Sequence, residues 1–463
     1  MTTTQKAILA SKFEIDTYLV PFEALERFRA TIKNADGEDV NFQFYAHGED
    51  DKTRFARGNL PLLRKCFPDI EIDDRRSTNP LKIPIEFTAS LRPNQQTVAD
   101  AVLKGEGFGT VSAPPRFGKT IVMCYITCKL KLKTLFLSHQ IDLSKQALKT
   151  FYDFTNIMDL EYEAGKPLIG IVNKWSDIDK YQICFMPYQK FTTGKNAKEK
   201  LEKYQDEFGL IWIDEAHRSN APRYSQVVGS FNPKYRHGVS ATIEIKSKRH
   251  VINNFILGPI IATGIADQVP CQVRIVPTGV HIPMRSTSNK LFFGKMLSFL
   301  ASHKERNDFL ISYIAAFVDR GHFCIAVADR VNMLNYVAEK LRAKGIAAQA
   351  FHSKAVSTET KREKILVRCR KGEITALIAI RSMVLGLDIP RLTVFFNLTP
   401  TANPSNYYQE LSRVRTPYSE GTYKKKVAYI VDFTDSHPVA KACLDNRRKV
   451  YDQERFEIIE KNR

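Results

Sequence analysis

Residues 109–126 read GTVSAPPRFGKTIVMCYI, and this stretch decides how the first half of the chain folds. An apolar run, GTVSA, enters a turn holding two prolines, and Gly118-Lys119-Thr120 then open a helical pattern. The first N–H groups of a helix lack intrahelical partners, so a strand feeding such a turn builds a cradle for phosphate oxygens. Lys119 would reach the β- and γ-phosphates, and the Thr120 hydroxyl would ligate magnesium. The match to GxxxxGK[ST] is imperfect, because Ala113 stands where the first glycine belongs.

Further apolar runs follow: TLFLS, YQICFMP, GLIWID and HGVSAT, with helical patterns between them. That rhythm predicts a parallel sheet wrapped by helices. A second series starts near Cys271 and is clearest at FCIAVAD, AAQAFHS, ALIAI, TVFFNL and KKVAYIVDF. Two successive α/β lobes are expected. FGLIWIDEAHRS, residues 208–219, places Asp214 and Glu215 directly after an apolar strand. Parallel-sheet sites assemble at that edge. Asp214 could hold the metal while Glu215 orients and deprotonates water, or the pair could cap the next helix. The phosphate loop upstream favours the first role.

Upstream, Lys12 to Asp74 mixes short apolar runs with one helical pattern, PFEALERFRATI, as in a small α+β unit. Arg75 to Pro84, RRSTNPLKIP, is rich in turn formers and reads as a linker. Met284 to Asn307 is basic, polar and then helical, as in a surface insertion or connector. The expected divisions are an N-terminal domain over 1–80, a first lobe over 81–268 and a second over 269–463.

Lys and Arg number 69 against 50 Asp and Glu, a formal charge of +19. This excess favours polyanionic partners, although a basic surface alone would also produce it. Eight cysteines occur without a CxxC pair, which argues against structural zinc and for a reducing compartment. The N-terminal apolar run is too short for a signal peptide, and no apolar stretch has the length a spanning helix needs. A cytoplasmic protein with no membrane association is expected.

SAPPRFGKT, IDEAH, VSAT and YQELSRVR occur in the order and approximate spacing of the superfamily 2 helicases, and the resemblance runs from about Leu91 to Asp432. It implies two tandem RecA-like lobes and use of ATP with Mg2+. In Leu91-Arg92-Pro93-Asn94-Gln95, Gln95 would read the adenine edge, with Arg92 beside it. Pro115, Arg116, Phe117, Gly118, Lys119 and Thr120 would line the phosphates. Thr120 and Asp214 would bind Mg2+, and Glu215 would activate water. His217, Ser240 and Thr242 would couple hydrolysis to strand movement. Gln409 and Arg413 resemble the motif that faces the γ-phosphate. The chain departs from the pattern in three places. Arg116 occupies a position usually glycine. Thr416 replaces a second arginine, so either a local bulge brings Arg415 to the phosphate or Arg413 acts largely alone. Gly386 and Asp388 match the family's GxD, but Ile380 replaces a hydroxyl residue.

In this superfamily, loops after the core strands hold nucleic acid through its phosphates. His139, Gln140, Tyr188, Gln189, Lys190, His352, Ser353, Lys354 and Ser382 occupy such places. Arg54 and Arg57 belong to a basic stretch of the N-terminal unit that reads as a duplex or junction clamp, or as a solvated face. The domain order is similar to phage UvsW-type branch-migration helicases and, more distantly, the RecG type. That implies remodelling of branched or double-stranded DNA, and of single-stranded DNA at forks, by a monomer. An RNA helicase, a restriction-type duplex translocase and a nucleotide-gated clamp are the alternatives.

Overall fold

The computed structural model describes all residues except 1–5, 10–11, 17–19, 21, 34–38, 193–196, 219–220, 242–249, 284–289, 385–386, 402 and 461–463. The chain divides into two compact units, Met1–Ala266 and Asp267–Arg463.

The core of the first unit is a seven-stranded, wholly parallel sheet. Its order is Ile169–Ile171, Ile183–Pro187, Thr134–Ser138, Leu210–Asp214, Tyr235–Ser240, Phe108–Ser112 and Ile260–Thr263. Thr134–Ser138 and Leu210–Asp214 read as nearly continuous apolar runs because both faces are covered, whereas Tyr235–Ser240 also buries Arg236 and His237. Alternate residues serve opposite layers: Phe136 and Trp212 pack with Val98, Met123 and Phe151, while Leu135, Leu137, Ile211 and Ile213 pack with Phe191, Tyr224 and Val228. The indole of Trp212 donates to Thr127 Oγ1 at 3.0 Å, so this buried ring leaves no polar atom unmet.

The second unit repeats the plan. Its parallel sheet runs Ala348–Phe351, Ala376–Ile380, Cys324–Ala328, Val394–Asn397, Ala428–Ser436, Cys271–His281 and Glu457–Glu460. Ile325 and Val327 face one apolar layer; Cys324, Ala326 and Ala328 face the other. The fold is therefore two tandem RecA-like lobes.

The N-terminal α+β module forms a five-stranded sheet, Tyr45–His47, Lys52–Ala56, Lys12–Asp16, Lys6–Leu9 and Glu71–Asp74, beside a two-stranded hairpin. It packs on the first lobe: Phe44 stacks on Phe255 with centroids 3.7 Å apart, and Phe108 joins the module's apolar cluster. A Cβ on Gly58 would meet the Asn254 carbonyl oxygen at 2.1 Å, so glycine is required for this approach.

Two stretches expected to connect or decorate the domains are held in place by bonds and packing. The stretch from Arg75 to Pro84 is a strap, not a free linker. Ser77 N donates to Asn232 O and Lys234 N to Ser77 O, both at 2.7 Å, while Leu81 N donates to Lys131 O at 2.9 Å. Within Met284 to Asn307, the helix Lys290–Ser302 buries Phe292, Met296 and Leu300 against Ile282. That helix is thus packed into the second lobe's surface.

A candidate nucleotide and nucleic-acid site

Because every core strand of the first lobe runs the same way, Ser112, Ser138, Pro187, Asp214 and Ser240 all end at one sheet edge. The chain turns at that edge from Ala113 to Gly118 before the helix Lys119–Leu130 begins. Arg116 and Gly118 have φ of 72° and 88°. Left-handed residues in such a loop turn successive N–H groups toward a common centre, forming an anion nest. Gly118 is favoured by its left-handed φ, and a Cβ there would also lie 2.4 Å from Gln95 Nε2 and displace its bond to Phe117 O. Lys119 Nζ reaches Ala113 O at 3.4 Å. The cradle and its lysine fit a triphosphate.

Arg92 and Gln95 lock against this loop. Arg92 Nη2 and Gln95 Nε2 each donate to Phe117 O at 2.7 Å, and Gln95 Oε1 accepts from Arg92 N at 3.0 Å. Gln95 is buried, so its amide fixes the loop's outer turn.

Asp214 Oδ1 accepts from Glu215 N at 2.9 Å. Burial first and the neighbouring Glu215 second push the Asp214 carboxyl up to about 6, while Lys119 pulls it down. A carboxylate desolvated in this way gains from a cation, and Asp214 with the Thr120 hydroxyl is a hard oxygen donor set suited to Mg2+. Glu215 adopts φ 51°, a left-handed conformation that costs a non-glycine residue about 1–2 kcal/mol. His217 Nδ1 lies 3.3 Å from Glu215 Oε2 and 2.9 Å from Ser240 Oγ. Glu215 and the strand end of VSAT are thereby bridged by the His217 ring. Thr242 lies outside the described residues. Tyr224, which the motif reading missed, is fully buried beside this pair and stacks on Tyr188 at 4.2 Å.

In the second lobe the helix Pro404–Leu411 carries Gln409 and leads into Arg413, whose Nη1 donates to Leu387 O at 3.2 Å. Asp388 is exposed next to it; Gly386 lies outside the described residues. Arg415 does not fill the second-arginine role: it pairs with Glu454 at 2.7 Å and its guanidinium lies 4.7 Å from the Phe456 ring centroid. Those partners commit it to holding the C-terminal helix. Buried Glu410 anchors the same motif through Arg381, which also binds Asp329 and Asn397. Burial pushes Glu410 up to about 7.

The expected nucleic-acid contacts divide. Gln140, Gln189, Ser353, Lys354 and Ser382 are exposed after core strands. His139 and Tyr188 are half-buried, and Gln189 Nε2 donates to His139 O at 3.0 Å. Lys190 Nζ is held by Val172 O and Asn173 O at 2.6 and 3.2 Å. Two assignments are corrected. His352 is buried with one ring nitrogen on Asn335 Oδ1 and the other accepting from Ala355 N, so it caps a turn. Arg57 is 1% exposed and donates to Lys234 O at 2.7 Å, so it joins module to lobe and no strand can reach it. Arg54 remains at the surface, paired with Asp50.

Comparison with known proteins agrees with this layout. The family model described as "Type III restriction enzyme, res subunit" matches residues 88–245, and "Helicase conserved C-terminal domain" matches residues 305–416. "Putative ATP-dependent RNA helicase L396" of Acanthamoeba polyphaga mimivirus is 29% identical over 55% of this chain. The chain covers 49% of that protein's length. "DNA 3'-5' translocase XPB2" of Sulfurisphaera tokodaii is 22% identical over 76% of this chain and 85% of its own. Among solved structures, a fragment of a "putative HsdR subunit of a type I restriction enzyme" from Vibrio vulnificus superposes with a TM-score of 0.55 at 17% identity. It covers 81% of this chain and 69% of its own, and it shares the fold. With a nucleotide lobe and a helicase C-terminal lobe matched in that order along one polypeptide, the chain belongs to the superfamily 2 helicases.

Proposed function

We propose that this protein is an ATP-driven motor that moves along DNA and remodels branched DNA, by branch migration of junctions or by unwinding or regressing forks. The observation that carries the motor reading is the contact of Glu215 and Ser240 through His217. The residue we assign to take a proton from water is thus linked through one side chain to the strand end that leads toward the proposed nucleic-acid edge. A clamp that only bound nucleotide would need no such base.

Mg2+ bound with ATP supplies electrophilic activation of the terminal phosphate and screens its charge. Lys119 and the loop N–H groups would hold the phosphates, and Asp214 with Thr120 would hold the ion. Glu215 would accept the proton of the attacking water. Arg413, with Gln409, would stabilise charge that develops during transfer; an arginine in that role contributes about 10³–10⁵-fold. Loop residues Gln140, Gln189, Ser353, Lys354 and Ser382 would meet phosphates rather than bases, so binding would be salt-sensitive and largely blind to sequence.

DNA is favoured as the track by the relative named a DNA translocase, which aligns over three quarters of this chain. RNA is the second reading, favoured by the mimivirus relative's name. ATP hydrolysis measured at fixed low salt with no nucleic acid, single-stranded DNA, duplex DNA, four-way-junction DNA and RNA separates them. Strongest stimulation by junction or duplex DNA supports the proposal. Stimulation chiefly by RNA refutes its substrate, and stimulation by none refutes the motor.

A further inference from the structure

Lys425 sits in the run Lys424-Lys425-Lys426 just before the strand Ala428–Ser436, a place where three lysines would be expected to face water. Its neighbours do; Lys425 is 3% exposed. Its ammonium donates to Pro390 O and Leu392 O at 2.6 Å each, to Thr416 O at 2.8 Å and to Val414 O at 3.3 Å.

A buried ammonium is tolerated only where its three protons meet acceptors, and here the acceptors are main-chain carbonyls from two separate segments. One follows Asp388. The other follows Arg413. Backbone bonds hold the second segment from its other side: Val269 N donates to Arg415 O at 2.9 Å, and Lys425 N to Tyr418 O at 2.9 Å. Arg413 itself reaches back to Leu387 O at 3.2 Å. Lys425 therefore ties together, from the buried side, the two loops between which Arg413 is suspended, while Arg391 and Glu420 pair across them at the surface. The geometry points to Lys425 as a positioning residue for ATP hydrolysis: by drawing Pro390, Leu392, Val414 and Thr416 together, it sets where the Arg413 guanidinium stands. This rests on the role given to Arg413 above. Lys425 touches no reacting atom. Because its cage is made of carbonyl oxygens, a long apolar side chain can fill the space and still lose the function.

The test is steady-state ATP hydrolysis by the full chain for Lys425→Met, Arg413→Ala and the double variant, with Lys424→Met and Lys426→Met as charge controls. Thermal unfolding checks each for folding. The expected result is a fall of about tenfold or more in kcat for Lys425→Met with KM for ATP within about twofold, because an interaction made only in the transition state affects kcat alone. The double variant should be no slower than Arg413→Ala, since residues acting through one another are not additive. Both controls should match wild type. Wild-type kcat in folded Lys425→Met, or fold-losses that multiply in the double variant, overturns the proposal while leaving Arg413 in place. Wild-type kcat in Arg413→Ala removes the reading of Arg413 and the proposal with it. If Lys425→Met does not fold, Lys425→Gln, which keeps an N–H donor, must show the same loss in kcat at unchanged KM; a rise in KM alone refutes positioning.

Discussion

Replacing Asp214 with asparagine should stabilise the nucleotide-free protein while ending its turnover. The Asp214 carboxyl is raised from 3.8 to about 6, by burial first and by the Glu215 charge second. The native state thus binds its proton more tightly than the unfolded chain does, so stability falls as pH rises through that interval, and above it the full penalty is present. Two units at about 1.4 kcal/mol each set a ceiling of about 3 kcal/mol, and water at the open sheet edge lowers the expected gain to about 2 kcal/mol. For a unit of this size that corresponds to about 4–8 °C in Tm. The assay is thermal unfolding without nucleotide or metal at about pH 7.5 and again at about pH 4, where the wild-type carboxyl is protonated and the gain should shrink toward zero. Adding ATP and Mg2+ at the higher pH should reverse the order, because only the wild type keeps a charged oxygen for the ion. An Asn variant with an unchanged or lower Tm at about pH 7.5, or a gain that persists in acid, would refute the reasoning.

Glu215→Gln should retain ATP binding and lose hydrolysis by about 10²–10⁴-fold, read by nucleotide binding beside phosphate release. Wild-type turnover would remove the base assignment. Arg413→Ala should slow hydrolysis, whereas Arg415→Ala should lower the stability of the second lobe by about 1–2 kcal/mol through loss of Glu454 and the Phe456 ring, with kcat of the folded protein unchanged. Equal kinetic losses in the two would contradict that division. Ser240→Ala deletes the hydroxyl that His217 meets and should reduce strand displacement more than ATP hydrolysis. Parallel losses would show that this contact is only structural. Lys354→Ala, at an exposed loop, should weaken DNA binding and reduce the slope of log affinity against log salt by about 1, and an unchanged slope would exclude it from the track.

The central strands of both lobes were legible because they are buried on two faces and most of them, such as Leu210–Asp214 and Ala376–Ile380, read as mainly apolar runs. Ile169–Ile171 and Ile260–Thr263, at the sheet's two edges, escaped that reading because one is three residues long and the other is half-exposed. Lys119, Asp214 and Glu215 were legible for a local reason: a strand end, a turn and a helix start are contiguous in the chain. The His217 contact spans only a short interval and follows from adjacent parallel strands. Nothing local marks Lys425, which resembles its two exposed neighbours until loops from elsewhere close over it. The strap escaped for a similar reason. Its turn formers forecast irregular backbone correctly, but where its N–H groups find carbonyls depends on turns far downstream, at Lys131 and Asn232.

A net charge of +19 says little about which cations a polyanion can meet, and the arginines show why. Among the described residues Arg57, Arg236, Arg306 and Arg447 are 1% exposed. In the second lobe this burial is compensated by carboxylates: Arg306 grips Asp435 through two bonds of 2.7 and 2.9 Å, and Arg447 binds Asp432 at 2.8 Å. In the first unit, Arg57 of the module and Arg236 of the lobe have, among the described residues, only backbone acceptors, Lys234 O and Phe231 O. Those two carbonyls flank Asn232, the residue to which the strap's Ser77 also binds. Module, strap and lobe therefore converge on one turn, and losing residues 1–80 takes away both guanidiniums, Arg57 and Arg76, from which Lys234 O accepts. Deleting residues 1–80 would uncover this junction and damage the lobe that binds nucleotide. Any part the module plays on branched DNA has to be tested at its surface cations, such as Arg54 and Lys65, with the buried arginines left in place.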